Sequence, residues 1–138
     1  MLFRSPTLGG LMASCVQKAG LEGDALVPVP LHPRRLRERG YNQAELLAQQ
    51  MGRRLGVPVA ARSLVRVRNT PAQARSENRE TRRANVAAAF RAKDAFDGRR
   101  VLLVDDVCTT GATLEACAAA LREAGAQEVW GVTLAREL

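Results

Sequence analysis

Residues 101–113 have the sequence VLLVDDVCTTGAT, a polar centre with a predicted strand before it and a predicted helix after it. The aliphatic run Val101–Val104 is typical of a strand buried on both faces. Ala112–Glu123 is predicted to be a helix, and Glu128–Leu134 a further strand. The apolar stripe of that helix is formed by Leu114, Cys117, Ala118 and Leu121. A strand, loop, helix and strand in this order indicate an α/β fold, in which the two strands are parallel and joined by a right-handed crossover.

The polar centre has the chemistry of an anion site. Ligands of open α/β sheets bind at the carboxyl ends of strands, and free N–H groups at a helix N-terminus attract anions. Gly111 allows close approach of the backbone, and hydroxyl groups surround it at Thr109, Thr110 and Thr113. The adjacent Asp105 and Asp106 repel each other unless sugar hydroxyls or a hard divalent cation bind them. The stretch is neither a Walker loop nor a dinucleotide fingerprint, because G-K-S/T and G-x-G-x-x-G are both absent.

At every position, residues 101–113 resemble the phosphoribosyl pyrophosphate signature of type I phosphoribosyltransferases. That signature has four apolar residues, two acidic residues, two further residues and then Thr-Thr-Gly-x-Thr. The resemblance implies an α/β fold of the type I phosphoribosyltransferase kind, a parallel sheet with helices on both faces. It also implies that Asp105 and Asp106 are the catalytic and metal-binding residues, which hold the ribose hydroxyls and place Mg²⁺. The other implied substrate-binding residues, around the 5′-phosphate, are Cys108, Thr109, Thr110, Gly111, Ala112 and Thr113.

A second resemblance narrows the group to the ComF branch of this superfamily. It rests on LVPVPLHPRRLRERGYNQAELLA, residues 26–48, and on NTPAQ and RRANVAAAF further along the chain. In type I enzymes the loop after the first strand holds pyrophosphate. The resemblance therefore makes residues 32–40 the candidate pyrophosphate loop, with Arg34 and Arg35 as substrate-binding residues, because the fork of donors in arginine suits a polyanion. Residues 69–85 contain almost nothing apolar and are expected to form a mobile loop over the site.

The remaining elements follow from local patterns. A short N-terminal helix is predicted, with an apolar face of Leu8, Leu11, Cys15 and Ala19 and an end at Gly20. Residues 25–31, ALVPVPL, are predicted to be the end of a strand that passes into a loop over residues 32–40. From Tyr41 a helix of about four turns is predicted, with a stop at Gly56. Its apolar residues are Ala44, Leu47, Ala48, Met51 and Leu55. Residues 57–68 are predicted to be extended, and residues 86–92, VAAAFRA, fit either a strand or a helix.

The net charge of +7 is unevenly distributed. Residues 34–100 hold 17 basic and 6 acidic side chains, whereas residues 101–138 hold 2 basic and 6 acidic ones. A basic segment can bind nucleic acid, an acidic membrane surface or a polyphosphate metabolite, and composition does not choose among these. One hypothesis is an enzyme that binds phosphoribosyl pyrophosphate with Mg²⁺ and transfers ribose 5-phosphate to a nitrogen acceptor. The alternative is a non-catalytic DNA-uptake module with a regulatory phosphoribosyl pyrophosphate site and a basic face for single-stranded DNA, formed by Arg53, Arg54, Arg62, Arg66 and Arg68.

The chain of 138 residues has the size of one domain, and we expect residues 1–138 to form a single phosphoribosyltransferase-like domain. Full-length ComF members commonly begin with a zinc-binding segment. The three cysteines, at positions 15, 108 and 117, contain no C-x-x-C pair and do not supply such a segment, so we expect either a shorter variant or an upstream piece that is missing from this chain. Their odd number indicates reduced thiols and a cytoplasmic location. A membrane span is excluded, because the sequence contains no run of about 18 apolar residues. Even its most apolar stretch, ALVPVPL, is interrupted by two prolines.

Three single residues have simpler interpretations than catalysis. Cys108 precedes a predicted helix, where a thiolate would be stabilised, but it has no suitable basic partner in its own loop. It is therefore interpreted as a small apolar residue of the phosphate turn. His32, the sole histidine, is interpreted as a turn or pocket-wall residue, and Trp130 as a core residue or a contact in a homodimer.

Overall fold

The structure is a computed structural model, and it describes residues 7–67 and 89–136. Four helices and five strands are assigned within these ranges. In chain order they are α1 (Leu8–Lys18), β1 (Ala25–Pro28), α2 (Pro33–Arg39), α3 (Gln43–Leu55), β2 (Leu64–Arg66), β3 (Phe90–Ala92), β4 (Arg100–Cys108), α4 (Ala112–Glu123) and β5 (Glu128–Arg136). The expected mobile loop over residues 69–85 lies outside the described residues.

The central sheet is parallel and has the strand order β1-β4-β5. The predicted strand over Val101–Val104 is confirmed, but the strand continues to Cys108. It continues because β5 stays paired with it beyond the aliphatic run, up to Cys108 opposite Arg136. The paired aspartates therefore lie within the carboxyl end of the strand itself. On its other side β1 forms one further bridge, between Leu26 and Val59.

Helices cover both faces of this sheet, as predicted. Along β4 the side chains alternate between the faces. Leu102 and Val104 join a buried cluster with α1 and α3, whereas Val101 and Leu103 join a second cluster with α4 and the β2–β3 pair. All four are 0–1% exposed, so the middle of β4 belongs to two cores at once.

The predicted helices α3 and α4 are confirmed, and local chemistry explains their ends. Asn42 caps α3, because its side chain accepts a hydrogen bond from the amide of Ala44. Gly56 ends α3 with a φ of 69°, a left-handed conformation that glycine adopts without strain. The buried face of α4 differs from the predicted stripe: its buried residues are Ala116, Cys117, Ala120 and Leu121, while Leu114 and Ala118 are only partly buried.

The helix α1 is confirmed, but its predicted apolar face is wrong. Met12, Ala13 and Val16 are buried, while Leu8 and Leu11 are 49% and 47% exposed. The small residues explain the rotation of the helix. A β-carbon at Gly9 would overlap the Gln50 side chain, and its absence lets α1 approach α3 closely. The amide of Gly9 then donates a hydrogen bond of 2.8 Å to Gln50 Oε1.

Residues 33–39 form the helix α2 and not the predicted loop. Pro33 occupies its first turn, where a missing N–H costs nothing. His32 caps the helix, since its Nδ1 accepts a hydrogen bond of 3.2 Å from the amide of Arg34. Gly40 ends it in the left-handed conformation, with a φ of 82°. Residues 86–92 fitted either a strand or a helix, and residues 90–92 form a strand. Of the predicted extended stretch over residues 57–68, residues 64–66 form a strand.

No helix in residues 7–67 and 89–136 is both long and apolar enough to cross a membrane.

Replacement of Leu103 by alanine is expected to lower the free energy of unfolding by about 3 kcal/mol, and the melting temperature by about 10 °C, because it opens a cavity in a core that cannot collapse freely. Val107→Ala is the matched control on the same strand, since Val107 is 47% exposed. Its expected cost is about 0.5 kcal/mol or less. Thermal melts of both variants measure the difference, and equal losses would contradict the two-core account of β4.

Candidate functional site

The two predicted anion-binding segments lie at the same edge of the sheet. Pro28, near the end of β1, pairs with Val104 of β4, and the amide of Val29 donates a hydrogen bond of 2.8 Å to the Val104 carbonyl. Residues 32–40 follow β1, and the threonine turn follows β4. Asn42 fixes the return of the chain, because its Nδ2 donates to the Val29 carbonyl at 3.0 Å. Both segments therefore emerge from neighbouring strands at the edge where α/β proteins bind ligands.

The paired aspartates stand at the boundary between core and solvent. Each carboxylate accepts a hydrogen bond of 2.9 Å from the amide of the following residue, Asp105 from Asp106 and Asp106 from Val107. Burial, and to a smaller extent the adjacent Asp106 carboxylate, together raise the pKa of Asp105 from 3.8 to about 7. The Asp105 carboxylate is therefore held at a cost in free energy, which a cation or hydroxyl donors would remove.

The turn after β4 presents backbone and hydroxyl groups to a small pocket. Thr109 and Thr110 are exposed, and Gly111 adopts a φ of 83° just before α4. Thr110 Oγ1 accepts a hydrogen bond of 3.3 Å from the amide of Ala112, while the next amides of the first turn have no intrahelical acceptor by the geometry of a helix. A pocket of about 40 Å³ lies here, lined by Asp105, Val107, Cys108, Thr109, Gly111, Thr113 and Leu114. That volume holds about three waters, the scale of the three free oxygens of a phosphate ester.

The donor set suits Mg²⁺ that is shared with a ligand. Magnesium binds through one or two carboxylates together with substrate phosphates and waters. Asp105 and Asp106 supply two carboxylates at this edge. Within residues 7–67 and 89–136, no group of three or more His, Cys, Asp or Glu residues is arranged to hold a metal. Two carboxylates leave most positions of an octahedral Mg²⁺ ion to phosphate oxygens and waters, so these residues fit an ion that shares its coordination with a polyphosphate.

The structure does not bring Arg34 and Arg35 into the pocket of the threonine turn. Both lie on α2, which has no buried residue, and Arg34 pairs loosely with Glu38 at 3.6 Å between Nε and Oε1. They do share the sheet edge with that pocket. Their side chains are therefore exposed at this edge and are not organised around a ligand.

Arg66, a candidate residue of the DNA-binding face, lies with its guanidinium 5.2 Å from the ring centroid of Phe90. Burial lowers the pKa of Arg66, and the positive charge of Arg35 lowers it further, so the two guanidinium groups lie within electrostatic reach of each other. A signal was present in the sequence, because Arg66 shares a strand face with Leu64, which is buried.

Cys108 and Cys117 differ in exposure, since Cys108 is half-buried and Cys117 is buried. Cys117 is fully buried on α4, and burial raises the pKa of its thiol, with a further contribution from Asp105. Cys108 lines the small pocket beside the threonines. His32 serves as the cap of α2 and is a turn residue, as interpreted.

Comparison with known proteins identifies this arrangement. The phosphoribosyl transferase domain family matches residues 8–138. The chain belongs to this family. The resemblance to type I phosphoribosyltransferases and to the ComF branch is confirmed, and so is the α/β fold with a parallel sheet.

The similar curated proteins of this phosphoribosyl transferase family carry competence and DNA-utilisation names. Competence protein F of Haemophilus influenzae is 44% identical over 117 residues, which cover 81% of this chain and 51% of that protein. The DNA utilization protein YhgH of Escherichia coli K12 is 38% identical over 83% of this chain and 50% of its own length. Competence protein ComFC of Bacillus subtilis is 39% identical over 80% of this chain and 44% of its own length. The chain thus spans about half the length of the curated relatives it matches.

Solved structures support the fold of the phosphoribosyl transferase family. The glutamine phosphoribosylpyrophosphate amidotransferase of B. subtilis matches with a TM-score of 0.61 and 24% identity, over 92% of this chain and 25% of that one. A purine phosphoribosyltransferase of Pyrococcus horikoshii matches with a TM-score of 0.59 and 19% identity, over 94% of this chain and 70% of that one.

The raised pKa of Asp105 predicts a pH dependence of stability. An acid whose pKa is higher in the folded state stabilises the fold while protonated, and this contribution is lost as the pH rises from about 4 to about 7. Asp105→Asn should abolish the loss and raise the free energy of unfolding at pH 8 by about 1–2 kcal/mol, after allowance for partial solvent exposure. Denaturant unfolding from pH 4 to pH 8 measures it. Asp97→Asn, at an exposed carboxyl, is the control, and an unchanged pH slope in Asp105→Asn would contradict the burial of this carboxylate.

Proposed function

We propose that this protein binds 5-phosphoribosyl pyrophosphate together with Mg²⁺ and transfers ribose 5-phosphate to a nitrogen acceptor. The observation that carries the proposal is the pairing of two partly buried carboxylates with a hydroxyl-rich turn and a phosphate-sized pocket, all at the carboxyl edge of a parallel sheet. Membership of the phosphoribosyl transferase family supports it. Reduced thiols and a soluble metabolite as substrate fit a cytoplasmic location for this activity.

Each part of the site has a role in this proposal. Asp105 and Asp106 accept hydrogen bonds from the vicinal ribose hydroxyls and provide oxygen ligands for Mg²⁺. The 5′-phosphate lies in the turn of residues 108–113, against the first amides of α4 and the threonine hydroxyls. Arg34 and Arg35, on the neighbouring segment, attract the pyrophosphate group.

Catalysis in this proposal comes from positioning and electrostatics. The carbon–oxygen bond to pyrophosphate breaks as the nitrogen acceptor attacks, and positive charge develops on the ribose ring. Asp105 and Asp106 hold the ring by its hydroxyls, so that the anomeric carbon faces the acceptor. Mg²⁺, when bound, neutralises charge on the leaving pyrophosphate. No covalent nucleophile is required.

A second candidate function is a DNA-uptake module whose phosphoribosyl pyrophosphate site is regulatory. The specific observation in its favour is a set of exposed arginines that extends far from the proposed site. The helix α3 starts beside the site at Asn42 and runs to the opposite edge of the sheet, where Leu55 lies near Arg100. Arg53 and Arg54 are exposed at that far end. The curated relatives carry competence and DNA-utilisation names, and this supports the candidate.

The double replacement of Asp105 and Asp106 by asparagine should weaken magnesium-dependent binding of phosphoribosyl pyrophosphate by about 100-fold or more, because it removes two charge-assisted acceptors. Isothermal titration calorimetry with and without Mg²⁺ measures the affinity. Asp97→Asn with Glu123→Gln makes the same charge change at the opposite edge of the sheet and should bind like the parent. Unchanged affinity in the Asp105/Asp106 variant would show that the site is elsewhere.

DNA binding, if it uses the far end of α3, should depend on Arg53 and Arg54. Replacement of both by glutamine should weaken binding to single-stranded DNA and reduce the slope of log K against log salt by about 1.4, since each lost phosphate contact removes about 0.7. Phosphoribosyl pyrophosphate affinity should not change. Arg91→Gln with Arg99→Gln removes the same charge elsewhere and serves as the control. An unaltered salt slope in the Arg53/Arg54 variant would remove this face from the DNA hypothesis.

A further inference from the structure

The strand β5 is a long edge strand with unusual exposure. It pairs with β4 on one side, and no other strand in residues 7–67 and 89–136 pairs with its outer side. Trp130 is 47% exposed and Leu134 is 39% exposed. Protected edge strands usually carry lysine, proline or a bulge. In contrast, the nine residues of β5, EVWGVTLAR, contain neither lysine nor proline, and their two charges stand at the two ends.

The neighbouring helix extends this apolar edge. Trp130 is opposite Leu102, and Val132 is opposite Val104, so both project from the face of the sheet that α1 and α3 cover. The side of α1 that faces α3 is marked by Gly9, which contacts Gln50, and by Ser14, which contacts Arg54. Helical geometry puts Leu8, Leu11 and Cys15 on the other side of α1, towards the outer edge. The apolar edge is defined as Leu8, Leu11, Trp130 and Leu134, four large apolar side chains that are each 39–49% exposed.

We propose that β5 pairs antiparallel with β5 of a second copy of this chain, about a twofold axis at Val132. The sequence of the strand is complementary to itself in this register. Glu128 lies opposite Arg136 of the second copy, and Trp130 lies opposite Leu134. A twofold interface requires such reciprocity, because residue i meets residue j and residue j meets residue i. The two paired β5 strands form the seam between the copies. One ion pair lies at each end of this seam, and apolar pairs lie between them.

Other registers lose this match. A shift of two residues puts Glu128 beside Leu134 or beyond Arg136, and it leaves both charges without partners. A shift of one residue puts Trp130 opposite Thr133 or the small Ala135 in place of Leu134, and turns the alternating side chains to opposite faces. Within the described residues neither Glu128 nor Arg136 has an ion pair inside its own chain. Both charges are therefore available for the second copy.

The twofold axis puts Val132 of one copy directly opposite Val132 of the other. Residues directly opposite in antiparallel strands have Cα atoms about 4.5–5.5 Å apart, within the range of a disulfide. The twofold axis also puts both α1 helices on the same face of the joined sheet, so Leu8 and Leu11 of each copy flank the seam. The second face of β5, where Val129 and Gly131 line a groove of about 410 Å³ beside α4, remains open in the dimer.

Sedimentation velocity on the full 138-residue chain should show a monomer–dimer equilibrium. Under mild oxidation, with Cys15 and Cys108 replaced by serine in every protein, Val132→Cys should form a covalent dimer in high yield. Trp130→Cys is the matched control: its two thiols would be separated by about four residues of strand, roughly 13 Å, and should not cross-link. A chain that stays monomeric at hundreds of micromolar, or a Trp130→Cys variant that cross-links as well as Val132→Cys, would overturn the proposal.

Charge reversal tests the register independently. Glu128→Arg alone and Arg136→Glu alone each put like charges together at both ends of the seam, and each should raise the dissociation constant of the dimer about tenfold or more. The double variant Glu128→Arg with Arg136→Glu restores opposite charges and should recover most of the affinity. Melting temperatures serve as the check that each variant folds. Folded single variants with parental dimer affinity, or a double variant no better than the singles, would overturn this register.

Discussion

The whole fold depends on burying four aliphatic side chains of one strand on two faces at once. Val101 and Leu103 hold α4 and the β2–β3 pair, while Leu102 and Val104 hold α1 and α3. Each side chain contributes about 1.5–3 kcal/mol of transfer free energy. The same rigidity extends into the candidate site, since Asp105 and Asp106 directly follow the aliphatic run on the same strand. The raised pKa of Asp105 is thus a direct product of the core that ends beside it.

Much of this architecture could be predicted because its signals are local and strong. The aliphatic run of β4, the apolar periodicity of α3 and α4, and the glycines after them each indicate one structure. The errors occur where contacts between elements decide. The face of α1 could not be predicted, because it depends on the contact of Gly9 with Gln50 in a distant helix. The length of β4 could not be predicted either, because the partner strand β5 supplies the pairing that extends it.

The candidate site shows the same division. The turn of residues 108–113 and the aspartates are contiguous in sequence, so one motif could locate them on the sheet edge. Arg66 lies within electrostatic reach of Arg35 although it belongs to β2, which is distant from Arg35 in sequence. No contiguous motif could therefore predict that the two residues are close. Alternation along β2 contained the information, but it became decisive only once Leu64 was known to be buried.

The exposure of α2 has a thermodynamic consequence for any anion that binds beside it. A helix of seven residues is too short to persist by itself in water, and α2 buries none of its residues in the core. The caps at His32 and Gly40 are what maintain it. The positions of its arginines therefore depend on the folding equilibrium of this short helix and not on tertiary packing. Part of the binding free energy of an anion must be spent on ordering this segment, so the enthalpy of binding should exceed what the affinity alone suggests, with an opposing entropy.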